Sequence, residues 1–212
     1  MNLILKYGAF SLFSYLIGSI PNGYIITKIK LRKDIRKLGN YKNIGATNVF
    51  TSVSPMAGFL TLILDIVKGF IPVFMAKQFH LNQYYILLIG VLAILGHIYP
   101  VYIGFKGGTG MATTLGILLG LMPLEMAFVA LLWGLGVAIF KRPALMGLIV
   151  IVLLPIIVII NHKPNSIVIA ALLISIVDLI ISTSSVDHIK SMLRGDEYIS
   201  VKNKFLKHIK KN

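Results

Sequence analysis

Cysteine is absent from the 212-residue chain, and only seven residues are acidic. Without cysteine the chain has no disulfide framework, no thiol nucleophile and no cysteine-ligated metal. Charged residues make up only 13% of the sequence, whereas typical soluble domains contain about 25%. These shortages argue against a soluble globular domain, a disordered chain and a coiled coil.

Hydrophobic residues, by contrast, make up 57% of the chain, and the mean hydropathy is +0.86. This composition predicts a protein that crosses a membrane several times. Lysine and arginine total 21, which gives a formal net charge of +14. In a soluble protein that excess would suggest nucleic acid, but beside long apolar runs it favours anionic lipid on the cytoplasmic face. We therefore expect membrane lipid as a partner and no nucleic acid.

Apolar segments of the right length predict an all-α, polytopic fold, because the bilayer core takes about 20 residues per helix. The apolar run 111–140 is too long for one span, and Pro123 and Glu125 interrupt it. The predicted spans are 5–27, 53–76, 84–103, a short helix starting near residue 108, 124–140, 144–160 and 166–181. The short fourth helix leaves an alternative open, with six spans and one re-entrant segment.

The distribution of positive charge favours seven spans with the N-terminus outside and the C-terminus in the cytoplasm. In that topology 17 of the 21 lysines and arginines lie on the cytoplasmic side, as such residues usually do. We predict one transmembrane domain over 1–182 and a basic cytoplasmic tail over 183–212. Polar loops at 28–52 and 104–110 then face the cytoplasm, where a water-soluble substrate can meet a lipid.

A glycine-rich run at 96–110 is the strongest local feature. Glycines allow backbone N–H groups to point at an anion, and a helix that follows adds its positive end. Lys106 adds a full charge among Gly107, Gly108 and Gly110, so the run predicts phosphate binding, although its spacing is not that of a P-loop. The alternative is a turn at the membrane boundary whose glycines permit close helix packing.

The first loop carries a second candidate, Asn43-Ile44-Gly45-Ala46-Thr47-Asn48. Asn43, Thr47 and Asn48 offer hydrogen bonds to hydroxyl or phosphate groups, and Gly45 permits a close approach. The alternative is an ordinary turn that caps the next helix.

Two ionisable residues fall inside the second predicted span, where charges are costly and usually functional. Asp65 and Lys68 are three residues apart and can pair on one helix face. Their alternative role is a buried structural ion pair. His97, at the end of the third span, is a candidate general base or phosphate donor, or else a hydrogen-bonded structural residue. No metal-ligating cluster is evident, so we expect no metal.

Together these segments resemble the bacterial membrane glycerol-3-phosphate acyltransferases that use acyl phosphate as donor. The resembling segments occur in the family's order and cover most of residues 11–200. Four of them are Ser19-Ile20-Pro21-Asn22-Gly23-Tyr24; Asp34–Gly39 with Asn43–Val49; Asp65–Gly69 with Pro72-Val73; and Gly96–Gly110 with Ala112, Thr113 and Gly116. The fifth, Ile189–Leu193 with Gly195 and Glu197, is a faint version of the family's last signature.

This resemblance implies a seven-span enzyme of the bacterial cytoplasmic membrane. It would transfer a fatty acyl group from acyl phosphate to the 1-hydroxyl of glycerol 3-phosphate, giving lysophosphatidic acid for phospholipid synthesis. The mixed anhydride is already activated, so no cofactor is expected. The implied substrate-binding residues are Lys42, Asn43, Gly45, Thr47, Asn48, Lys106, Gly107, Gly108, Gly110 and Thr113; the implied catalytic residues are His97, Ser185 and His188; and Asp65 and Lys68 would brace the site.

The chain departs from the family pattern at several polar positions. Asn40-Tyr41-Lys42 replaces a serine-containing stretch, with one residue inserted. Thr51 and Thr109 stand where the family has an arginine and a lysine, and Ser185 and His188 where it has a histidine and an asparagine. Pro143–Met146 replaces a hydroxyl-rich stretch. Lys42 and His188 are therefore candidates to compensate for lost groups.

Those departures keep two rival hypotheses open. One is a divergent paralogue that binds a phosphorylated lipid precursor without turning it over. The weaker one is a small membrane transporter, because Asp65 and Lys68 also suit an ion pathway. Against the transporter, the sequence shows no inverted repeat and no paired broken helices.

Overall fold

The computed structural model describes residues 3–39, 41–183 and 193–194, and every regular element among them is helical. Short 3₁₀ turns lie at Ile35–Lys37 and Val101–Ile103. The α-helices, in chain order, are α1 (Leu3–Gly18), α2 (Asn22–Leu31), α3 (Ala46–Ser52), α4 (Pro55–Gln78), α5 (Gln83–Ile98), α6 (Met111–Leu121), α7 (Pro123–Phe140), α8 (Pro143–Ile160) and α9 (Asn165–Thr183). The all-α membrane fold predicted from the sequence is confirmed.

Local chemistry sets the helix boundaries. The Ser54 side chain accepts a hydrogen bond from the Ala57 N–H at 3.2 Å and caps α4, whose first residue is Pro55. Asn82 caps α5 in the same way, through the Tyr84 N–H. Pro123 begins α7, and the break at Met122 divides the long apolar run as the sequence predicts.

Several helix boundaries differ from the predicted spans. The first span was predicted over 5–27, with a kink or thinning near its end at Gly18, Pro21 and Gly23; α1 ends at Gly18 and α2 continues from Asn22 to Leu31. Pro21 lacks the N–H that would continue α1. The predicted third span, 84–103, matches the apolar stretch Gln83–Ile103, although its α-helix ends at Ile98. The predicted loop 28–52 contains the last turn of α2 and the whole of α3.

Four apolar stretches of the described chain are long enough to cross a membrane: Leu5–Leu31, Pro55–Gln78, Gln83–Ile103 and Pro123–Phe140. Three shorter apolar helices accompany them, at Met111–Leu121, Leu145–Ile160 and Asn165–Ile176. The 11 residues of α6 rise only about 16 Å, roughly half of the hydrocarbon thickness. The seven-span count and the orientation of the termini therefore stay predictions.

The described chain forms two compact units, one up to Leu121 and one from Met122 onward. In the first unit α4 packs on α6 and α1 packs on α5. In the second unit α8 packs on both α7 and α9, and the Ser175 hydroxyl donates a hydrogen bond to the Ile151 carbonyl at 2.6 Å.

Glycines bring the paired helices of the first unit into backbone contact. A Cβ atom added at Gly116 of α6 would overlap the Ile66 carbonyl of α4, and one at Gly69 of α4 would overlap the Thr113 carbonyl. Small residues permit this approach in membranes, where packing rather than water exclusion holds helices together. The glycines of α4 and α6 are thus required by helix packing.

Substituting alanine at two helical glycines tests this packing. Gly116→Ala places a methyl group against the backbone of α4, so we expect the melting temperature in detergent to fall by several degrees. Gly134 of α7 is the matched control, because no atom lies within 4 Å of an added Cβ there. Gly134→Ala should leave the melting temperature unchanged or raise it slightly, since alanine favours helix by about 1 kcal/mol. Equal effects at both positions would contradict the packing role.

Candidate active site at the first loop and the glycine-rich turn

The first loop folds around the Asn48 side chain, which is fully buried. Its amide nitrogen donates to the Ile35 carbonyl at 3.1 Å and to the Asn43 carbonyl at 2.8 Å. The Asn43 side chain in turn accepts from the Gly45 N–H at 3.0 Å. Asn43, Gly45 and Asn48 therefore build the loop, and the side-chain amide of Asn48 is already occupied by the backbone.

A small apolar core holds this loop on the helices. Ile35, Ile44 and Val49 are each at most 1% exposed and pack with Ala57. An added Cβ at Gly23 of α2 would overlap the Ile44 carbonyl, so α2 and the loop are in backbone contact. The polar residues of the loop are thus held on a rigid base.

The glycine-rich turn is closed by its own backbone. The Gly107 N–H donates to the Ile98 carbonyl at 3.0 Å, and the Gly108 N–H donates to the His97 carbonyl at 3.2 Å. Gly104 and Gly110 have φ values of +73° and +85°, in the region that favours glycine. The N–H groups of Gly107 and Gly108, which the sequence led us to expect at an anion, are therefore engaged inside the turn.

The Arg36 side chain joins the first loop to the glycine-rich turn. One terminal nitrogen donates to the Ile103 carbonyl at 2.9 Å and to the Lys106 carbonyl at 3.3 Å. The rest of the guanidinium binds both oxygens of Asp34, with a closest approach of 2.8 Å. The guanidinium also lies 5.5 Å from the centre of the Tyr24 ring.

This contact shifts the pKa of both partners. Hydrogen bonds from Arg36 hold the pKa of the Asp34 carboxyl below its ordinary value, and the carboxylate raises the pKa of Arg36. Asp34 is thus a carboxylate at neutral pH, and it fixes the orientation of the arginine.

An open cavity of about 550 Å³ lies between the loop and the turn. Its lining includes four cationic side chains and one carboxylate, and the carboxylate is engaged by Arg36. The lining residues are Asp34, Arg36, Lys37, Lys42, Ile103, Gly104, Lys106 and Gly107. The excess of positive charge suits an anionic ligand such as a phosphate.

Lys42 has an unusual backbone, with φ at +49°. A left-handed conformation costs a non-glycine residue roughly 1–2 kcal/mol, so it persists only when the surroundings impose it. This strain lies at the edge of the cationic cavity, where Lys42 adds a charge.

A second polar cluster is buried in the helices below the turn. The Asp65 carboxylate lies 3.0 Å from the Lys68 ammonium and accepts a hydrogen bond from the Asn22 amide at 2.9 Å. Lys68 also donates to the Ile20 carbonyl at 2.8 Å. The cluster ties α4 to the break between α1 and α2, as expected of a brace, and both charges are at most 3% exposed.

His97 is buried beside this cluster. Its Nδ1 lies 3.9 Å from an Asp65 oxygen, beyond hydrogen-bond reach, and accepts or donates no hydrogen bond among the described residues. A Cβ added at Gly108 would overlap its Nε2, so the imidazole packs directly against the glycine-rich turn. This position suits support of the turn better than contact with a substrate, and the catalytic role of His97 stays a prediction.

The other predicted residues are divided between surface and interior. Lys42, Lys106 and Gly107 line the cavity. Thr47 is exposed, and its carbonyl accepts from the Thr51 hydroxyl at 3.0 Å. Thr113 is fully buried, and its hydroxyl has no hydrogen-bond partner among the described residues. Ser185 and His188 lie outside the described residues.

No role was predicted from the sequence for Asp34, Arg36 and Lys37, although the segment Asp34–Gly39 contributed to the family resemblance. The one available signal for an ion pair was the spacing of two positions between Asp34 and Arg36. Nothing in that spacing indicated that the arginine would reach a turn about 70 residues away.

Comparison with known proteins agrees with this architecture. The sequence profile of the family described as Glycerol-3-phosphate acyltransferase matches residues 8–195. Proteins named glycerol-3-phosphate acyltransferase from Staphylococcus haemolyticus (strain JCSC1435) and Staphylococcus aureus (strain Newman) are 43% and 42% identical to the chain over 146 residues. Each alignment covers 65% of this chain and 72% of the relative.

Two crystal structures share the fold. Both are of PlsY (YgiH), described as an integral membrane glycerol 3-phosphate acyltransferase. The glycerol 3-phosphate form superimposes with a TM-score of 0.74 at 33% identity, and the lysophosphatidic acid form with 0.71 at 31%. Each match covers 90% of this chain and 93% of the other. The chain therefore belongs to the glycerol-3-phosphate acyltransferase family.

Proposed function

We propose that this protein transfers a fatty acyl group from acyl phosphate to the 1-hydroxyl of glycerol 3-phosphate, giving lysophosphatidic acid. Family membership supports the reaction, and the related crystal structures were solved as the glycerol 3-phosphate and lysophosphatidic acid forms. The observation that carries the proposal is the cationic cavity between the first loop and the glycine-rich turn. It has the charge that two phosphate-bearing substrates require.

The protein is a multi-pass protein of the bacterial cytoplasmic membrane. Several apolar helices of membrane-spanning length support this location, as does the integral membrane relative. In the proposed seven-span topology the cavity opens to the cytoplasm. Glycerol 3-phosphate reaches it from water, while the acyl chain of the donor stays in the lipid.

The reaction requires two anions to be held close together. Lys106 and Lys42 are exposed cations of the cavity, and among the four cationic lining residues only Arg36 takes part in an ion pair of the described chain. We assign the Lys106 side chain to the phosphate of glycerol 3-phosphate, and Gly107 lines the cavity beside it. Lys42 is assigned to the phosphate of the donor. It would stand in for the family's arginine and lysine, which are Thr51 and Thr109 in this chain.

Positioning then accounts for much of the catalysis. The 1-hydroxyl oxygen forms a bond to the acyl carbon, the bond from that carbon to the phosphate oxygen breaks, and phosphate leaves with the electron pair. The hydroxyl proton is released to a base, for which the imidazoles of His97 and His188 are the candidates, and Ser185 stays a predicted catalytic residue without that role. Thr47 and Thr113 are proposed to help position substrate, and Gly110 to shape the turn. No cofactor or metal enters this scheme, since the acyl group arrives activated.

A second candidate function is binding without turnover. It is favoured by Thr51, whose hydroxyl donates back to the Thr47 and Asn48 carbonyls of its own helix at 3.0 and 3.2 Å. A threonine used in this way supplies no charge to an anion. Purified protein that binds glycerol 3-phosphate but yields no lysophosphatidic acid from acyl phosphate would establish this function instead.

The assignment of Lys106 is tested by removing its charge. We expect Lys106→Ala to raise the KM for glycerol 3-phosphate about tenfold or more, because a hydrogen bond to a charged group contributes about 1.5–3 kcal/mol. The assay follows labelled lysophosphatidic acid made by the purified protein. Lys28→Ala removes an exposed cation of α2 outside the cavity and should leave the KM unchanged. Equal behaviour of the two variants would contradict the assignment.

The strained backbone allows a sharper test of Lys42. Lys42→Gly removes the charge and relieves the left-handed conformation, so we expect a melting temperature a few degrees higher together with a KM for acyl phosphate about tenfold higher. Lys42→Arg keeps the charge and should keep the KM. A residue with only a structural role would not combine greater stability with weaker donor binding.

The Asp34–Arg36 pair predicts a pH-dependent contribution to stability. The pKa of Asp34 is lower in the folded protein than in the unfolded chain, so the pair stabilises the fold above the unfolded value of about 3.9. The contribution is lost as pH falls through the folded pKa. We expect the wild type to melt above Asp34→Asn at neutral pH by an amount equivalent to at most about 1 kcal/mol. The difference should disappear in acid, and a difference that grows toward acid would contradict the pairing.

A further inference from the structure

Three exposed aromatic residues lie on the short segment that leads from α5 into the glycine-rich turn. Tyr99, Tyr102 and Phe105 are 54%, 56% and 55% exposed. They alternate along the chain with residues of the cationic cavity, since Ile103 and Lys106 both line it. Apolar rings that lie so close together on a surface usually mark a contact with lipid or with another molecule.

Phe105 stays at this surface in an unfavourable backbone conformation, with φ at +58°. A bulky residue seldom adopts a positive φ, whereas glycine adopts it readily. The bend is closed by the Phe105 N–H, which donates to the Pro100 carbonyl at 2.9 Å. The turn therefore presents an aromatic residue where glycine would suit the backbone better, and that points to a use for the ring.

Helix α4 provides a scale for the depth of the turn in a membrane. The connection from α4 to α5 is rich in polar residues, which mark the membrane boundary farther from the cavity; they are Lys77, Gln78, His80, Asn82 and Gln83. A hydrocarbon core about 30 Å thick takes about 20 helical residues from Lys77, and it therefore reaches Ala57. The boundary nearer the cavity thus lies close to the start of α4.

The end of α5 lies well inside that boundary. His97 is beside Asp65 of α4, with 3.9 Å between the imidazole Nδ1 and a carboxylate oxygen. Asp65 is only 12 residues from Lys77, a rise of about 18 Å along α4. About 12 Å of hydrocarbon therefore remain between the level of His97 and the nearer boundary.

The exposed surface of α4 agrees with this depth. Met56, Phe59 and Leu60 are 71%, 58% and 47% exposed, and they lie between Asp65 and the start of the helix. Large apolar side chains exposed on a spanning helix are what a lipid-facing surface requires. Lipid thus covers α4 beyond the level at which α5 ends.

The aromatic segment cannot extend far from that level, because the chain returns to α5 directly after it. The Gly107 N–H donates to the Ile98 carbonyl at 3.0 Å, and the Gly108 N–H donates to the His97 carbonyl at 3.2 Å. The residues between Ile98 and Gly107 therefore form a short closed excursion. Its exposed side chains lie within the leaflet or at its boundary with water.

We propose that Tyr99, Tyr102 and Phe105 form a lipid-contact surface in the membrane leaflet nearer the cavity. Bilayer lipid is the occupant, because the surface continues the apolar stretch Gln83–Ile103, which is long enough to cross a membrane. Tyrosine suits this depth, since its ring lies in apolar surroundings while its hydroxyl reaches the head groups. The cationic cavity is then bordered by lipid at the glycine-rich turn and by water at the first loop.

A single tryptophan tests the contact with lipid. Trp133 is the one tryptophan of the chain, so Trp133→Phe gives a background without indole fluorescence. Phe105→Trp and, separately, Tyr102→Trp are added to it; the second variant does not depend on the strained backbone of Phe105. Each full-length protein is reconstituted in phosphatidylcholine vesicles with or without lipids brominated near the ester end of their acyl chains. We expect bromine, a contact quencher, to lower the fluorescence of both variants about twofold.

Two matched variants in the same background set the limits of the measurement. Phe59→Trp, on the exposed face of α4, should be quenched at least as strongly. Tyr41→Trp, 57% exposed in the polar first loop, should keep its fluorescence in brominated vesicles and lose it to iodide in the water.

The proposal is overturned if tryptophan at positions 102 and 105 behaves like Tyr41→Trp. Fluorescence that neither bromine nor iodide quenches would overturn it as well, because the rings would then be covered by protein. The measurement does not involve acyl transfer, so its outcome is independent of the proposed function.

Discussion

The guanidinium of Arg36 holds together two segments that the sequence places about 70 residues apart. Its three nitrogens donate to Asp34 on its own loop and to the carbonyls of Ile103 and Lys106. Arginine suits this task because its planar fork binds a carboxylate and still has donors left for the backbone. This connection acts together with the apolar core, on which Ile103 also packs, to set the distance between the loop and the turn.

Close backbone contact supplies the second constraint. Gly23 brings α2 against the first loop, while Gly69 and Gly116 bring α4 against α6. These contacts leave little space for side chains, so polar groups near them are buried with few partners. Asn22, Asp65 and Lys68 hydrogen-bond and pair with one another and with the Ile20 carbonyl inside apolar surroundings. Packing and electrostatics thus support the same part of the fold.

Composition and hydropathy were enough to predict the helical membrane fold and the break at Pro123, because those features depend on local chemistry and segment length. The interruption near Gly18 and Pro21 was marked in the sequence by those residues, whereas the continuation of α2 to Leu31 was not expected, because the charged residues from Lys28 onward suggested a loop. Lys106 and Gly107 were predicted as site residues and do line the cavity. Arg36 received no role, because its importance depends on a contact between distant segments that no local pattern encodes.

The glycine-rich run shows where a motif read from spacing needs correction. The spacing suggested N–H groups free to bind an anion. The N–H groups of Gly107 and Gly108 instead donate to the Ile98 and His97 carbonyls within the turn. Lysine side chains around the cavity are left to provide the charge. Binding of an anion in this cavity stays a prediction, and it is now assigned to side-chain cations rather than to the N–H groups of the turn.

That closed turn has a consequence for the entropy of binding. A glycine-rich segment that became ordered only around its ligand would lose backbone freedom at that moment, at a cost of about 1–2 kcal/mol per residue. Here the turn is already ordered by its own hydrogen bonds and by the imidazole behind Gly108. The ordering cost is therefore met during folding, and under the proposed function the attraction between the lysines and a phosphate does not have to offset it.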